Sequence, residues 1–173
     1  DGVTEPWHYD PGRDGSVVIT GGSGAGATSA LLRCGQAAAA HGKSVIMLSS
    51  GPSGSSEAAG SGFVTFSHNE PWTLEYLLAL FDIGALDPGD VCLCIDDYEA
   101  LAARHETSRR LEKLTQLLTA GGTAAPMFVV VAGRRFLHSP VAARAATRIV
   151  FPTNDAQDSL HYGLPAGRFA GVW

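Results

Sequence analysis

A glycine-rich segment near the N-terminus has the residue types and spacing of a phosphate-binding loop. A run of β-branched residues precedes it and a helical pattern follows it. Backbone N–H groups of such a loop, together with the N-terminus of the helix, form a nest for an anion. From its residues alone, the loop fits a phosphate site and a ligand-free turn equally well. The segment is Gly21-Gly22-Ser23-Gly24-Ala25-Gly26-Ala27-Thr28-Ser29.

One position of this loop departs from the usual pattern, because Ala27 stands where phosphate-binding loops carry a lysine. Thr28 still supplies the hydroxyl that such loops place on Mg²⁺. Alanine cannot reach the β- and γ-phosphates, and loss of a charged hydrogen bond removes ~1.5–3 kcal/mol. We therefore expect weakened nucleotide binding and a larger loss of hydrolysis, since the lysine also stabilises the transition state.

Two acidic residues, Asp96 and Asp97, follow the apolar run 91–95. An acidic residue at the end of a buried strand is typical of a site that holds Mg²⁺ near bound phosphates. We expect Asp96 to contact Mg²⁺ through water and Asp97 to be the catalytic, water-activating carboxylate. The pattern is weak alone, because many buried strands end in aspartate, and gains weight from the glycine-rich loop about 70 residues earlier.

Two arginines, Arg134 and Arg135, follow the apolar run 127–133. Side chains at the carboxyl end of a parallel strand face the ligand crevice, so a guanidinium there can bind a γ-phosphate or a neighbouring subunit. A pair of solvated loop arginines is an equally good interpretation.

The composition excludes several functional classes. The chain has 173 residues, of which 45% are hydrophobic and 17% charged, as in one globular domain. Its formal net charge of −5 argues against DNA as a partner. No apolar run approaches the ~20 residues that span a bilayer. The cysteines lack metal-ligand spacing and are expected to be buried thiols; they are Cys34, Cys92 and Cys94.

Alternation of strand and helix patterns predicts an α/β fold with a mainly parallel central sheet covered on both faces. Strands are predicted over residues 16–20, 44–49, 63–67, 91–95, 127–133 and 148–151. Helices are predicted over residues 27–42, 70–86 and 139–147, and residues 98–122 form one long helix or two broken near 105–108. Residues 50–62 are a Ser/Gly loop, either a plain solvated connection or a functional lid.

The order of these parts resembles the FtsK/SpoIIIE branch of RecA-like P-loop motor ATPases. The segment 129–167 is similar to the part of that family that follows the Walker B strand. In it, the sensor corresponds to Ala132-Gly133-Arg134-Arg135, the Arg-Ile-x-Phe strand to Thr147-Arg148-Ile149-Val150-Phe151, and the start of the next helix to Asp158-Ser159. The resemblance implies a three-layer RecA-like domain over residues 15–173, with residues 1–14 as a lead-in. Because the chain starts without Met and ends at Trp173, we expect it to be part of a longer multi-domain chain.

The sequence "IDDYEAL" (95–101) and the paired arginines look most like the degenerate C-terminal ATPase domains of EccC/EssC proteins, the motors of type VII (ESX) secretion. That resemblance implies a cytoplasmic domain of an inner-membrane-anchored bacterial protein, flanked by further ATPase domains, with a hexamer as the expected assembly of the full-length motor. It also implies recognition of the C-terminal signal of a WXG100-type substrate, with ATP and Mg²⁺ as possible ligands. Ala27, Asp97 and Arg134 depart from the family's lysine, glutamate and glutamine, which predicts little hydrolysis by the isolated domain.

Two other functions remain open on the sequence. One is a pseudo-ATPase module of an FtsK-like DNA translocase, which the acidic net charge disfavours. The other is a working ATPase whose lysine comes from elsewhere in the chain. Lys43 and Lys113 are the lysines of the chain, and we expect neither to reach the loop.

Overall fold

Six parallel strands form one sheet at the centre of the computed structural model, which describes residues 8–21, 24–49, 63–67, 70, 72–105, 109–120 and 125–151. The strands are β1 (Val17–Thr20), β2 (Ser44–Ser49), β3 (Val64–Ser67), β4 (Val91–Ile95), β5 (Met127–Val131) and β6 (Thr147–Val150). Their order is β3-β2-β4-β5-β1-β6, and every pair of neighbours is parallel. The predicted α/β fold with a parallel sheet is confirmed.

Helices cover both faces of this sheet. They are α1 (Pro11–Asp14), α2 (Ala27–Ala40), α3 (Thr73–Asp82), α4 (Tyr98–His105), α5 (Arg109–Thr119) and α6 (Pro140–Arg144). Short 3₁₀ helices span Pro88–Asp90 and Arg134–His138. Apolar side chains of α2 pack on one face, and those of α3, α4, α5 and α6 pack on the other. The result is the predicted three-layer sandwich.

Alternation along β4 explains why the strand is apolar throughout. Val91, Leu93 and Ile95 lie in the core beneath α3 to α6, whereas Cys92 and Cys94 lie in the core beneath α2. Successive side chains of a strand point to opposite faces, so a strand buried on both faces carries no polar residue. The three cysteines are buried free thiols, as expected, and burial raises the pKa of Cys34 to about 12.

Several predicted helices have different bounds in the structure. The long pattern 98–122 is two helices, α4 and α5, as the second alternative had it. The helix predicted over 70–86 is the shorter α3, and Trp72, which lies within the predicted range, is 54% exposed. Trp72 precedes the first helical residue and so lies outside the helical periodicity; its ring meets Tyr76 edge-on. The Ser/Gly loop 50–62 and the tail 152–173, with Asp158-Ser159, lie outside the described residues.

Two short helices differ from what the sequence predicts. The helix predicted over 139–147 is the shorter α6, with Pro140 as its first residue and Ser139 as its cap, which accepts a hydrogen bond from the N–H of Ala142 at 3.1 Å. The helix α1 was not predicted: Asp10 caps it, and its four residues are too few for a periodic pattern. Within the part of the chain that is described, no helix is long and apolar enough to cross a membrane.

Candidate nucleotide site

The glycine-rich loop and both acidic residues lie at one edge of the sheet, where the strands β1, β4 and β5 end. The register holds these ends level, because Ile19 pairs with Val131 and Ile95 pairs with Val130. In open parallel sheets, ligands bind at the carboxyl ends of the strands, where the connections leave on either side. The structure therefore brings the sequence-predicted loop and the end of β4 to the place where this fold class binds ligands.

Glycine at two positions of the loop has a clear structural reason. Gly26, the residue before α2, has φ of +96°, which disfavours a side chain. At Gly21, a Cβ would lie 2.6 Å from the Cβ of Phe151, so glycine allows the residue after β6 to pack against the start of the loop. Gly22 and Ser23 lie outside the described residues.

The helix α2 begins directly after this loop, at Ala27. No described side chain caps the helix, so the first-turn N–H groups of Ala27, Thr28 and Ser29 keep their capacity to donate to a ligand. The helix is 14 residues long, and its dipole favours an anion at this end. The described part of the loop and the uncapped start of α2 are compatible with the anion nest that the sequence predicts.

Thr28 and Asp96 meet directly, although they are 68 residues apart in sequence. The Thr28 hydroxyl Oγ1 lies 3.2 Å from Asp96 Oδ1 and 3.3 Å from Oδ2, and it donates to that carboxylate. The backbone N–H of Asp96 donates to the carbonyl of Leu48 at 2.9 Å, which continues the sheet ladder and positions the carboxyl group. A hydroxyl and a carboxylate in contact beneath a phosphate loop are the protein ligands that Mg²⁺ uses in P-loop NTPases, so these residues fit ATP–Mg²⁺.

A cavity of about 640 Å³ is lined by Thr28 and lies beside this pair. Its walls are the loop and first turn of α2 on one side and the ends of β4 and β5 on the other. The volume is in the range of pockets that take small-molecule ligands. The lining residues include Gly21, Gly26, Thr28, Asp97, Glu99 and Gly133.

Asp97 lines this cavity and also has a structural task. Its φ is +60°, and it is the one described residue other than glycine with a positive φ. Aspartate tolerates this left-handed conformation better than most side chains. Its Oδ1 accepts a hydrogen bond from the N–H of Ala100 at 3.0 Å, so the carboxylate caps α4. Asp97 is the residue that the sequence predicts to activate water, and one of its two carboxylate oxygens is engaged in this helix cap.

Glu99 is a cavity residue that the sequence reasoning missed. Its Oε2 accepts a hydrogen bond from the backbone N–H of Gly133 at 2.6 Å, which ties the start of α4 to the end of β5. Glu99 lies two residues beyond the Asp pair, in what reads as the first turn of an ordinary helix. The signal that could have found it is this spacing, because an acidic residue in the first turn after a strand lies near the same sheet edge.

Arg134 and Arg135 form the first turn of a 3₁₀ helix that follows the cavity residue Gly133 directly. Their backbone is therefore beside the site, and their side chains lie outside the described part of the chain. Neither lysine reaches the loop: Lys43 donates to the carbonyl of Gly89 at 2.5 Å, and Lys113 forms an ion pair with Asp82. The site therefore gains no substitute lysine from within the described structure.

A parallel sheet in this order, with a glycine-rich loop between β1 and α2 and aspartate after β4, defines a RecA-like P-loop ATPase fold. The chain is similar in structure to the cytoplasmic domain of EssC, with a TM-score of 0.69 and 14% identity over 93% of this chain and 37% of that one. A second similar structure, EssC (ATPases 2 and 3) from Geobacillus thermodenitrificans, has a TM-score of 0.68 and 15% identity over 93% and 36% of the two chains.

A third similar structure is the cytoplasmic domain of the type VII secretion ATPase EccC from Thermomonospora curvata. Its TM-score is 0.66 at 18% identity, over 87% of this chain and 21% of that one. No family model and no curated protein matches the sequence. The chain spans from about a fifth to somewhat over a third of the length of these structures, and likeness at such low identity establishes the fold.

Proposed function

We propose that this chain is a degenerate ATPase domain of a type VII secretion motor, which binds ATP–Mg²⁺ weakly or structurally and turns it over little. The observation that carries the proposal is the contact between Thr28 and Asp96 beneath a glycine-rich loop that has Ala27 in place of lysine. The domain keeps the Mg²⁺-binding pair and the anion nest, and lacks the charged side chain that reaches the outer phosphates. The domain then retains nucleotide binding although it has lost most of its hydrolysis.

The similar structures extend this proposal to the domain's surroundings. Each is a longer chain; one is described as ATPases 2 and 3 of EssC and another as a type VII secretion ATPase. We expect residues 15–173 to be one ATPase domain among several in a membrane-anchored chain, placed in the cytoplasm and assembled as a hexamer. The net charge of −5 disfavours DNA as a partner, because DNA binding relies on clustered lysines and arginines that neutralise phosphates.

Nucleotide binding is tested by titration calorimetry of ATP–Mg²⁺ into the protein and two variants. The aspartates at the two ends of β4 form a matched pair: Asp96 contacts Thr28, and Asp90 is exposed before the strand. Asp96→Asn is expected to weaken ATP–Mg²⁺ binding about tenfold or more, because it removes a charge that holds the cation. Asp90→Asn removes the same charge at the opposite edge and is expected to leave binding unchanged.

Equal affinities of the two variants would count against the assigned Mg²⁺ pair. Rapid ATP turnover by the unmodified domain would count against a degenerate site altogether.

Recognition of a secreted substrate is supported by a second cavity. A groove of about 420 Å³ runs between α4, α5 and the 3₁₀ helix after β5. It is mainly apolar, and the ring of Tyr98 packs on that of Phe136 in its wall with centroids 4.3 Å apart. An apolar groove with a few polar groups at its rim fits one or two aliphatic side chains of a peptide. We propose that it receives the C-terminal signal of a WXG100-type protein.

Filling the groove is the direct test of this peptide site. Ala103 lines the groove and is exposed, so Ala103→Trp is expected to abolish binding of a WXG100-protein tail peptide in a calorimetric titration. Ala79, exposed on α3, lines no part of the groove, and Ala79→Trp is expected to bind the peptide like the unmodified domain. Binding of duplex DNA in place of the peptide would favour the FtsK-like translocase instead.

A further inference from the structure

The described walls of the nucleotide cavity carry negative charge without a positive one. Asp97 and Glu99 are the charged residues among those that line it, and Asp96 lies beside them against Thr28. Ala27 contributes no cation, and both lysines are engaged elsewhere. Among the described side chains, a ligand with more negative charge therefore meets more repulsion in this cavity.

Glu99 holds its charge at a defined point of the wall. Its Oε2 is fixed by the N–H of Gly133 at 2.6 Å, and its Oε1 is buried with no hydrogen-bond partner in the described part of the chain. At Gly133, a Cβ would lie 2.9 Å from Oε1, so glycine at the end of β5 leaves the space that the carboxylate occupies. The geometry keeps one carboxylate oxygen on the backbone donor of Gly133, a residue that lines the cavity.

Glu99 and Gly133 line the same cavity as the glycine-rich loop and the first turn of α2. The loop and the first turn of α2 can hold one phosphate group, with a cation at Thr28 and Asp96 beside it. A further phosphate would have to be accommodated in the rest of the cavity, whose lining includes Glu99 and Gly133. Near these two residues, the further phosphate would be repelled by the carboxylate of Glu99, and the N–H of Gly133 would not be available to it because it already donates to Glu99.

We propose that Glu99 is a specificity-determining residue, which makes this site select a nucleoside diphosphate over the triphosphate. The inference rests on the nucleotide binding proposed above. The fixed carboxylate takes the place of a γ-phosphate oxygen on the N–H of Gly133, and its charge repels the group that would displace it. The site then holds the product form of the nucleotide, which agrees with a domain that binds and does not turn over.

The test measures two affinities, those of the Mg²⁺ complexes of ADP and of adenylyl imidodiphosphate, a triphosphate analogue that cannot be hydrolysed. The unmodified domain is expected to bind ADP about tenfold more tightly than the analogue. Glu99→Gln keeps an oxygen that accepts from Gly133 and removes the charge. It is expected to raise affinity for the analogue until the two constants agree within about threefold, with ADP affinity little changed.

Two further variants complete the experiment. Glu112 is exposed on α5 and lines neither cavity, so Glu112→Gln removes the same charge elsewhere and is expected to keep the preference for ADP. Gly133→Ala forces the carboxylate off the N–H by the 2.9 Å approach and is expected to change the ratio in the same direction as Glu99→Gln. Thermal unfolding of each variant verifies that it is folded.

Each outcome decides something definite. Equal affinities in the unmodified domain, or equal losses for both ligands in Glu99→Gln, overturn the selectivity while the nucleotide site stands. If neither nucleotide binds to any folded variant, the nucleotide site itself is rejected and the selectivity with it.

Discussion

Replacing Ala27 with lysine is expected to tighten binding of ATP–Mg²⁺ about tenfold to a hundredfold. Ala27 is the first residue of α2 and lines the cavity, so a longer side chain there extends into the space over Thr28. A charged hydrogen bond to a phosphate is worth ~1.5–3 kcal/mol, which converts to that range of affinity. The cavity lining has two carboxylates and no described cation, so the new charge is also attracted by the site itself.

The matched control is Ala27→Met, which adds a side chain of similar length without the ammonium group. If the gain is electrostatic, Ala27→Lys tightens binding in titration calorimetry and Ala27→Met does not. The gain should also shrink as salt concentration rises, since the two charges are screened. Equal effects of the two substitutions would mean that position 27 does not face the outer phosphates, and the resemblance to a phosphate loop would lose its main support.

The sheet could be predicted from the sequence because its strands are buried on both faces. Predictions over 44–49 and 91–95 agree with β2 and β4 at both ends. Such strands are uninterrupted apolar runs that stop where polar residues begin, and the parallel arrangement follows from the helices between them. The pattern 98–122 was harder, because one continuous helical periodicity runs across the two separate helices α4 and α5.

The candidate site could be predicted in part. The loop, Thr28 and Asp96 follow from short-range patterns, and their meeting follows from the parallel sheet. What the sequence did not reveal depends on contacts between distant segments. The hydrogen bond from Gly133 to Glu99 joins residues 34 apart, and the cap that Asp97 makes on α4 depends on a backbone conformation that no spacing encodes.

Shortening Ile95 to alanine is expected to lower the free energy of unfolding by about 2–5 kcal/mol. Ile95 is the last residue of β4, is fully buried, and pairs with Leu48 on one side and Val130 on the other. Its removal leaves a cavity between the sheet and the helices above it, which surrounding side chains fill only in part.

Ile83 supplies the same substitution in a different setting, because it follows α3 and is 75% exposed. Ile83→Ala is expected to change stability by no more than about 0.5 kcal/mol, and urea unfolding of both variants measures the difference.

Because Asp96 follows Ile95 directly, the variant Ile95→Ala also tests how the site depends on the core. If the backbone of β4 is held by its neighbours on both sides, Ile95→Ala keeps the affinity for ATP–Mg²⁺ below its unfolding transition. A loss of binding without unfolding would mean that the side chain of Ile95, and not the sheet ladder, positions Asp96.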